Sequence, residues 1–146
     1  MTRIVHPSPV PPEQMDPEVR RLFEAALAVK ANAHAPYSNY HVGCSLLTAD
    51  GTLFVGANIE NAAYPQGLCA EATALAVMAS AGEREVRTIL TVCDSEGLPT
   101  PCGGCRQKIR EFATPATVLH ACGRAGLWAP YSMEGLLPDP FGPGHL

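Results

Sequence analysis

The chain has 146 residues, which is enough for one domain with a buried core and too short for two domains of ordinary size. Its net charge of −4 disfavours DNA or RNA as a partner. The sequence also lacks a run long enough to span a membrane and the basic-then-apolar start of a signal peptide. We therefore expect a cytoplasmic protein that binds neither nucleic acid nor a membrane.

The first half of the chain predicts a proline-rich arm, a helix and a β-hairpin. Residues 1–14 contain four prolines and few core-forming residues, which indicates an extended, loosely held arm before a single domain at 15–146. Asp16-Pro17-Glu18 is typical of a helix start, with an N-cap, a proline and an acid in the first turn. Strands are expected over 41–48 and 52–59, joined by a turn at 49–51.

Helices and strands alternate in the second half. The segment 68–81 is nearly free of charge, so we expect a buried helix that stops at Gly82. A strand over 87–93, a helix over 107–112, a strand over 117–122 and a short helical turn over 132–137 follow. This order predicts an α/β sandwich with a mixed sheet.

The six cysteines fall into two groups. In an intracellular chain they argue against disulfides and for metal or thiol chemistry. One group lies in apolar, strand-like segments and is assigned to the core: Cys44, Cys93 and Cys122. The other group lies beside turn residues at expected helix starts: Cys69, Cys102 and Cys105.

The second group predicts a metal site. Cys69-Ala70-Glu71 is followed about thirty residues later by Pro101-Cys102-Gly103-Gly104-Cys105, and three thiolates with an open fourth position favour zinc and a water. Residues two apart on a helix point about 200° apart, so Cys69 and Glu71 reach one ion only if it lies off the helix N-terminus. Glu71 would then relay the proton of the activated water. The alternatives are a purely structural zinc or unrelated core cysteines.

Two longer motifs make the chain resemble the small, homotetrameric cytidine deaminases, within the cytidine and deoxycytidylate deaminase superfamily. They are Asn58-Ile59-Glu60-Asn61-Ala62 and Pro101-Cys102-Gly103-Gly104-Cys105-Arg106-Gln107, and the similarity runs from about Pro36 to Pro143. The resemblance implies a three-layer α/β/α sandwich with about five strands. It also implies one Zn²⁺ per chain and hydrolytic conversion of cytidine and deoxycytidine to uridine and deoxyuridine in pyrimidine salvage.

The resemblance further assigns roles to single residues. The zinc ligands would be Cys69, Cys102 and Cys105, and Glu71 would carry protons. The backbone N–H of Ala70 and the carbonyl of Thr100 would hold the pyrimidine edge. The remaining substrate-binding positions would be Tyr40 against the base, Asn58 and Glu60 at the ribose, Ala62, and Tyr64 and Phe141, which would complete sites across subunits.

Two positions depart from the family pattern. Tyr40 replaces the usual Phe, so its hydroxyl needs a partner. Ala72 replaces an arginine that usually accompanies three cysteine ligands. Three thiolates leave a divalent zinc site with a formal charge of −1, and we nominate Arg106 and the two helix N-termini to offset it.

Other functions remain open from the sequence. A related deaminase would act on a nucleotide, an aminonucleoside antibiotic or a tRNA base, although no basic residues surround Asn58 and Glu60. A protein of a different class would be a zinc-stapled interaction module. The sequence does not decide between cytidine and deoxycytidine.

Overall fold

The computed structural model describes residues 7–146, so the first six residues of the expected arm lie outside it. Its strands form a single mixed sheet in the order β2-β1-β3-β4-β5. The strands are β1 (Val42–Thr48), β2 (Leu53–Ala57), β3 (Val86–Cys93), β4 (Ala113–Cys122) and β5 (Trp128–Ser132). Strands β3 and β4 run parallel, and the other neighbours are antiparallel.

Helices cover both faces of the sheet. They are α1 (Pro17–Lys30), α2 (Ala70–Ser80), α3 (Gly103–Phe112) and α4 (Met133–Leu136). Helix α1 packs on one face over one hydrophobic core, whereas α2, α3 and α4 pack on the other face over a second core. The predicted three-layer sandwich is confirmed. None of the described helices has the length and apolarity needed to cross a bilayer.

Helix α1 begins where the sequence predicts. The side chain of Asp16 accepts a hydrogen bond from the Val19 N–H at 2.9 Å, and Pro17 occupies the first helical position. Such a cap satisfies one of the free N–H groups at the helix start. Leu22 and Ala26 are fully buried on the face that meets the sheet.

Glycines let the helices approach the sheet closely on both sides. A Cβ on Gly56 in β2 would lie 2.3 Å from the Ala74 nitrogen and 2.7 Å from the Ala70 carbonyl oxygen, both in α2. A Cβ on Gly43 in β1 would lie 2.0 Å from the Ala26 carbonyl oxygen in α1. Each helix therefore rests directly on the backbone of a strand.

Strand β5 has no counterpart among the strands found in the sequence pattern. Pro130 interrupts its pattern, and a proline is tolerated in a strand only at an edge or a bulge. In the structure, β5 is the last strand of the sheet order and pairs with β4, with Pro130 opposite His120. Its edge position explains how a strand contains this residue.

The end of the arm is held more firmly than expected. Val10 and Trp128 exchange two backbone hydrogen bonds at 2.6 and 3.0 Å. The indole N–H of Trp128 also donates to the Pro11 carbonyl at 3.3 Å. Residues 10–11 thus extend the edge of the sheet beside β5, and the expectation of a loose arm is wrong for this part.

Candidate metal centre and active site

Three cysteine sulfurs meet between two helix N-termini. Cys69 is the N-cap of α2, Cys102 is the N-cap of α3, and Cys105 lies in the first turn of α3. Their Sγ atoms all lie within 4.8 Å of one another, and those of Cys69 and Cys102 are 3.8 Å apart. This convergence arises because each cysteine belongs to the start of a helix, so both helix ends direct their thiols to one point.

The donor set fits a zinc ion. Thiolates are preferred zinc ligands, and three protein ligands leave the fourth tetrahedral position open, as in catalytic zinc sites. Hydrogen bonds from Cys105 and then Cys102 lower the pKa of Cys69 to about 6, against the opposing effect of burial. A thiolate is the form that binds metal. The cluster therefore has the composition, spacing and charge that zinc requires.

Cys105 is the most enclosed of the three. It is 1% exposed, whereas Cys69 and Cys102 are open to the cleft. The hydrogen bond with Cys69, burial and the negative charge of Glu71 together raise its pKa. A cation at this point would reverse those effects, because a coordinated thiol is deprotonated.

Glu71 lies immediately beside the sulfurs. It belongs to the first turn of α2, is 5% exposed, and its Oε2 is 3.6 Å from the Cys105 Sγ. Burial is the main cause that raises the pKa of this carboxyl group. A carboxyl group with a raised pKa binds a proton more readily than an ordinary one, which suits general acid–base chemistry.

The cluster opens into a cleft of about 620 Å³, within the size range of small-molecule sites. The cleft brings together most of the positions that the sequence singles out. These are Tyr40, Asn58, Glu60, Tyr64, Cys69, Ala70, Glu71, Thr100 and Cys102. Within residues 7–146, no lysine or arginine lines the cleft.

Asn58 and Glu60 both face the cleft and both make hydrogen bonds within the protein. The Asn58 amide donates to the Tyr40 carbonyl at 2.8 Å and accepts from the Val42 N–H at 2.8 Å. The Glu60 carboxylate accepts from the Ser38 hydroxyl and from two backbone N–H groups. These bonds, that of Ser38 above all, lower the pKa of Glu60. Both side chains are therefore oriented before any ligand arrives.

The hydroxyl of Tyr40 has found a partner. Its oxygen lies 3.4 Å from the Ser95 Oγ, and the Ser95 Oγ in turn lies 2.9 Å from the Cys93 Sγ. The ring is therefore held at its tip as well as at its backbone. Ser95 is therefore the partner that the Tyr40 hydroxyl requires at a position where the family usually has Phe.

Arg106 supports the loop before α3. Its guanidinium donates to the carbonyl oxygens of Pro101 and Leu136, both at 2.7 Å, and to the Thr100 hydroxyl at 3.0 Å. Within residues 7–146, none of its hydrogen bonds goes to a sulfur. The charge of Arg106 therefore acts on the sulfurs without a direct hydrogen bond, and its guanidinium holds the loop that carries Thr100.

Two expected substrate-binding residues lie outside the cleft of this single chain. Ala62 and Phe141 are not among its lining residues. The Phe141 ring is 58% exposed and stacks on His145, with ring centroids 5.2 Å apart. Tyr64 lines the rim but is 76% exposed. The structure thus leaves two large aromatic side chains facing outward.

Sequence reasoning missed several residues of the cleft wall. Thr91 and Cys93 lie on this wall. They are two residues apart in β3, and this spacing could have shown that both side chains point to the same face of the sheet. Ser38 also lines the cleft wall, but its partner Glu60 is 22 residues away in the chain, so no local pattern marks it.

The family model and the sequence relatives that match this chain indicate the same protein family. Residues 17–121 match the family described as "Cytidine and deoxycytidylate deaminase zinc-binding region". A cytidine deaminase of Sporosarcina psychrophila is 37% identical over 124 residues, which cover 85% of this chain and 91% of that protein. A cytidine deaminase of Halalkalibacterium halodurans is 38% identical over 120 residues, which cover 82% and 91%.

Solved structures agree with these sequence relatives. The crystal structure of cytidine deaminase from Burkholderia pseudomallei has a TM-score of 0.80 and 40% identity, and the match covers 87% of this chain and all of that one. That of cytidine deaminase from Mycobacterium leprae has a TM-score of 0.73 and 35% identity, over 85% of this chain. The resemblance seen in the sequence is confirmed: the chain belongs to the cytidine and deoxycytidylate deaminase zinc-binding family.

Proposed function

We propose that this protein is a cytidine deaminase, which uses zinc and water to convert cytidine and deoxycytidine to uridine and deoxyuridine with release of ammonia. The observation that carries this proposal is the buried Glu71 beside three converging thiols at the wall of a nucleoside-sized cleft. The relatives named cytidine deaminases support the same activity. The cysteines are free thiols, which suits the reducing environment of the cytoplasm. We expect the enzyme to act there in pyrimidine salvage.

The chain's own residues supply the proton transfers. Cys69, Cys102 and Cys105 would hold the zinc, which would supply an activated water for attack on C4 of the cytosine ring. Glu71 takes up the proton that this water loses and delivers it to N3 of the base. It would then move the remaining proton of that water, from the new hydroxyl on C4, to the amine. The C4–N bond breaks as the C4 carbonyl forms, so one water is consumed and one ammonia is released. Burial raises the pKa of Glu71 above that of an ordinary carboxyl group, which suits a residue that both takes up and gives up a proton.

Backbone groups of the cleft would hold the base. Ala70 is the first residue of α2, and the first N–H groups of a helix lack intrahelical acceptors. The Ala70 N–H is therefore available to the pyrimidine edge, together with the Thr100 carbonyl on the facing loop. Tyr40 packs against the base, while Asn58 and Glu60 meet the sugar hydroxyls.

An activity assay tests the proposal. Purified protein with measured zinc content is incubated with cytidine, deoxycytidine, their monophosphates and adenosine, and the loss of cytidine absorbance is followed. We expect turnover of both nucleosides and little of the monophosphates, because the part of the chain from residue 7 onward places no lysine or arginine in the cleft. Preference for a monophosphate would favour a nucleotide deaminase instead, and no turnover in a zinc-loaded sample would favour the interaction module.

We also propose that the active unit is a homotetramer with sites shared between subunits. The exposed rings of Tyr64 and Phe141 support this proposal, as does the uncharged outer face of α2, where Val77 is 47% exposed. Light scattering would give the mass in solution. Mixing inactive Glu71→Gln chains with Phe141→Ala chains tests the sharing of sites. Hybrids that regain activity would support it, and hybrids that regain none despite subunit exchange would contradict it.

A further inference from the structure

Ser38 lies between the two side chains expected to hold the two halves of a nucleoside. Its hydroxyl donates to Oε1 of Glu60, and its Oγ accepts the Tyr40 N–H at 3.1 Å. Its own N–H donates to Oε2 of Glu60 at 3.2 Å. A single small residue on the rim thus contacts both the carboxylate proposed for the sugar and the backbone of the ring proposed for the base.

The carboxylate of Glu60 depends on this loop for its orientation. No lysine or arginine in residues 7–146 forms an ion pair with it. Its donors are the N–H of Tyr37 at 2.9 Å, the N–H of Ser38 and the hydroxyl of Ser38. A carboxylate accepts about four hydrogen bonds, so about one acceptor position remains for a ligand. The Ser38 hydroxyl is the only donor among these to Oε1, and together with the two N–H donors at Oε2 it fixes the rotation of the carboxylate.

The same hydroxyl oxygen connects Glu60 to Tyr40. The Tyr40 backbone is held by Ser38 at its N–H and by the Asn58 amide at its carbonyl. Removing the hydroxyl of Ser38 would release one of these two contacts and the contact to Oε1 together. The carboxylate would then be held only at Oε2, by the N–H groups of Tyr37 and Ser38, and it would turn more easily about its last bond.

We propose that Ser38 is a positioning residue for nucleoside binding, which fixes the carboxylate of Glu60 and the backbone of Tyr40 through one hydroxyl group. This inference rests on the proposed cytidine deaminase function. Ser38 does not touch the reacting atoms, so its effect is expected in KM and not in kcat.

Steady-state kinetics with cytidine test the proposal through Ser38→Ala and Ser38→Thr. We expect Ser38→Ala to raise KM about five- to tenfold with kcat within about twofold, which is the effect of one ordinary hydrogen bond at an exposed position. Ser38→Thr keeps the hydroxyl at an exposed position and should return KM to within about twofold of the wild type. A control is Ser45→Ala, which removes a buried hydroxyl that donates to the Leu22 carbonyl in α1 at 2.7 Å and is not part of the described cleft lining. It should lower Tm without changing KM.

A double-mutant cycle separates positioning from a general effect on the loop. On a Glu60→Ala background, Ser38→Ala should raise KM by less than about twofold, because its main partner is gone. The full effect persisting without Glu60, or an unchanged KM in Ser38→Ala, would overturn the role of Ser38. A wild-type protein that fails to deaminate cytidine would instead contradict the proposed function itself.

Discussion

The cleft has two sides that are built in different ways. The metal side consists of Cys69, Glu71, Cys102 and Cys105, which are all placed by the first turns of two helices. The sugar side consists of Ser38, Tyr40, Asn58 and Glu60, which lie in irregular segments. They are held by hydrogen bonds between side chains and distant backbone groups.

This difference in construction corresponds to a difference in role between the two sides. Helix starts packed on a sheet are rigid, and rigid supports suit chemistry that requires a fixed geometry. Loops held by a few polar contacts adapt more easily and lie where binding specificity commonly resides. We expect damage on the metal side to abolish turnover, and damage on the sugar side to weaken binding or stability by modest amounts.

The largest expected effect comes from Glu71→Gln on the metal side. The amide cannot relay protons, so kcat should fall by about a hundred- to ten-thousandfold, the range typical of general acid–base catalysis. Zinc content by mass spectrometry should stay at one ion per chain, because the carboxylate is assigned to proton transfer. Glu85→Gln, which changes an exposed carboxylate, is the matched control. Loss of zinc along with Glu71 would make this residue a ligand.

An intermediate effect is expected from Arg106→Ala, at the loop that carries Thr100. The change removes three hydrogen bonds to the Pro101 and Leu136 carbonyls and the Thr100 hydroxyl. Hydrogen bonds made by charged groups are worth roughly 1.5–3 kcal/mol, so turnover should fall about ten- to a hundredfold and Tm should drop. Lysine keeps the charge but cannot reach three acceptors at once. Full activity in Arg106→Lys would therefore mean that charge, and not the position of Thr100, is what Arg106 supplies.

The smallest expected effect concerns Asp94, whose carboxylate contacts the residue that follows Tyr40. The Asp94 carboxylate contacts Lys30 Nζ at 2.5 Å, the His41 N–H at 2.8 Å and His41 Nδ1 at 2.9 Å. Lys30 chiefly, with His41, holds the pKa of Asp94 below its usual value. A depressed carboxyl pKa gives stability that is present above the unfolded-state pKa of about 3.9 and is lost as the pH falls through the folded-state pKa.

Asp94→Asn should accordingly lower the free energy of unfolding by about 1 kcal/mol at pH 7, a modest figure because the pair is partly exposed. The difference from the wild type should begin to shrink once the pH falls below about 4. Urea unfolding at several pH values measures this difference in the free energy of unfolding. The control is Glu24→Gln, which changes an exposed carboxylate on α1. A difference that stays constant with pH would show that the ionised carboxylate is not the source.

The sequence predicts the metal side better than the sugar side for a physical reason. Cysteines next to proline and glycine mark helix starts locally, and the structure places both N-caps there. Helix α3 begins at Gly103, four residues before the predicted helix body at 107–112. Its N-cap is Cys102, and the two glycines of its first turn do not prevent the helix from starting there. The contacts of Ser38 with Glu60 and of Tyr40 with Ser95 join residues far apart in the chain. No local pattern encodes such pairs.

The edge of the sheet gives the same lesson. Strand β5 with Pro130 and the attached Val10 depend on backbone pairing and not on a pattern of side chains. By contrast, the three cysteines assigned to the core from their apolar surroundings are fully buried. Burial follows from local composition, whereas pairing at an edge follows from the assembled sheet.

The close contacts at Gly43 and Gly56 limit how this protein can change. Because α1 and α2 already touch strand backbone, the thickness of the sandwich cannot shrink, and even one added methyl group would push a helix outward. At Gly56 the displaced helix would be the one that begins with Cys69 and Glu71. New substrate preferences, in evolution or in the laboratory, are therefore accessible through the cleft rim, while the spacing of the layers stays fixed.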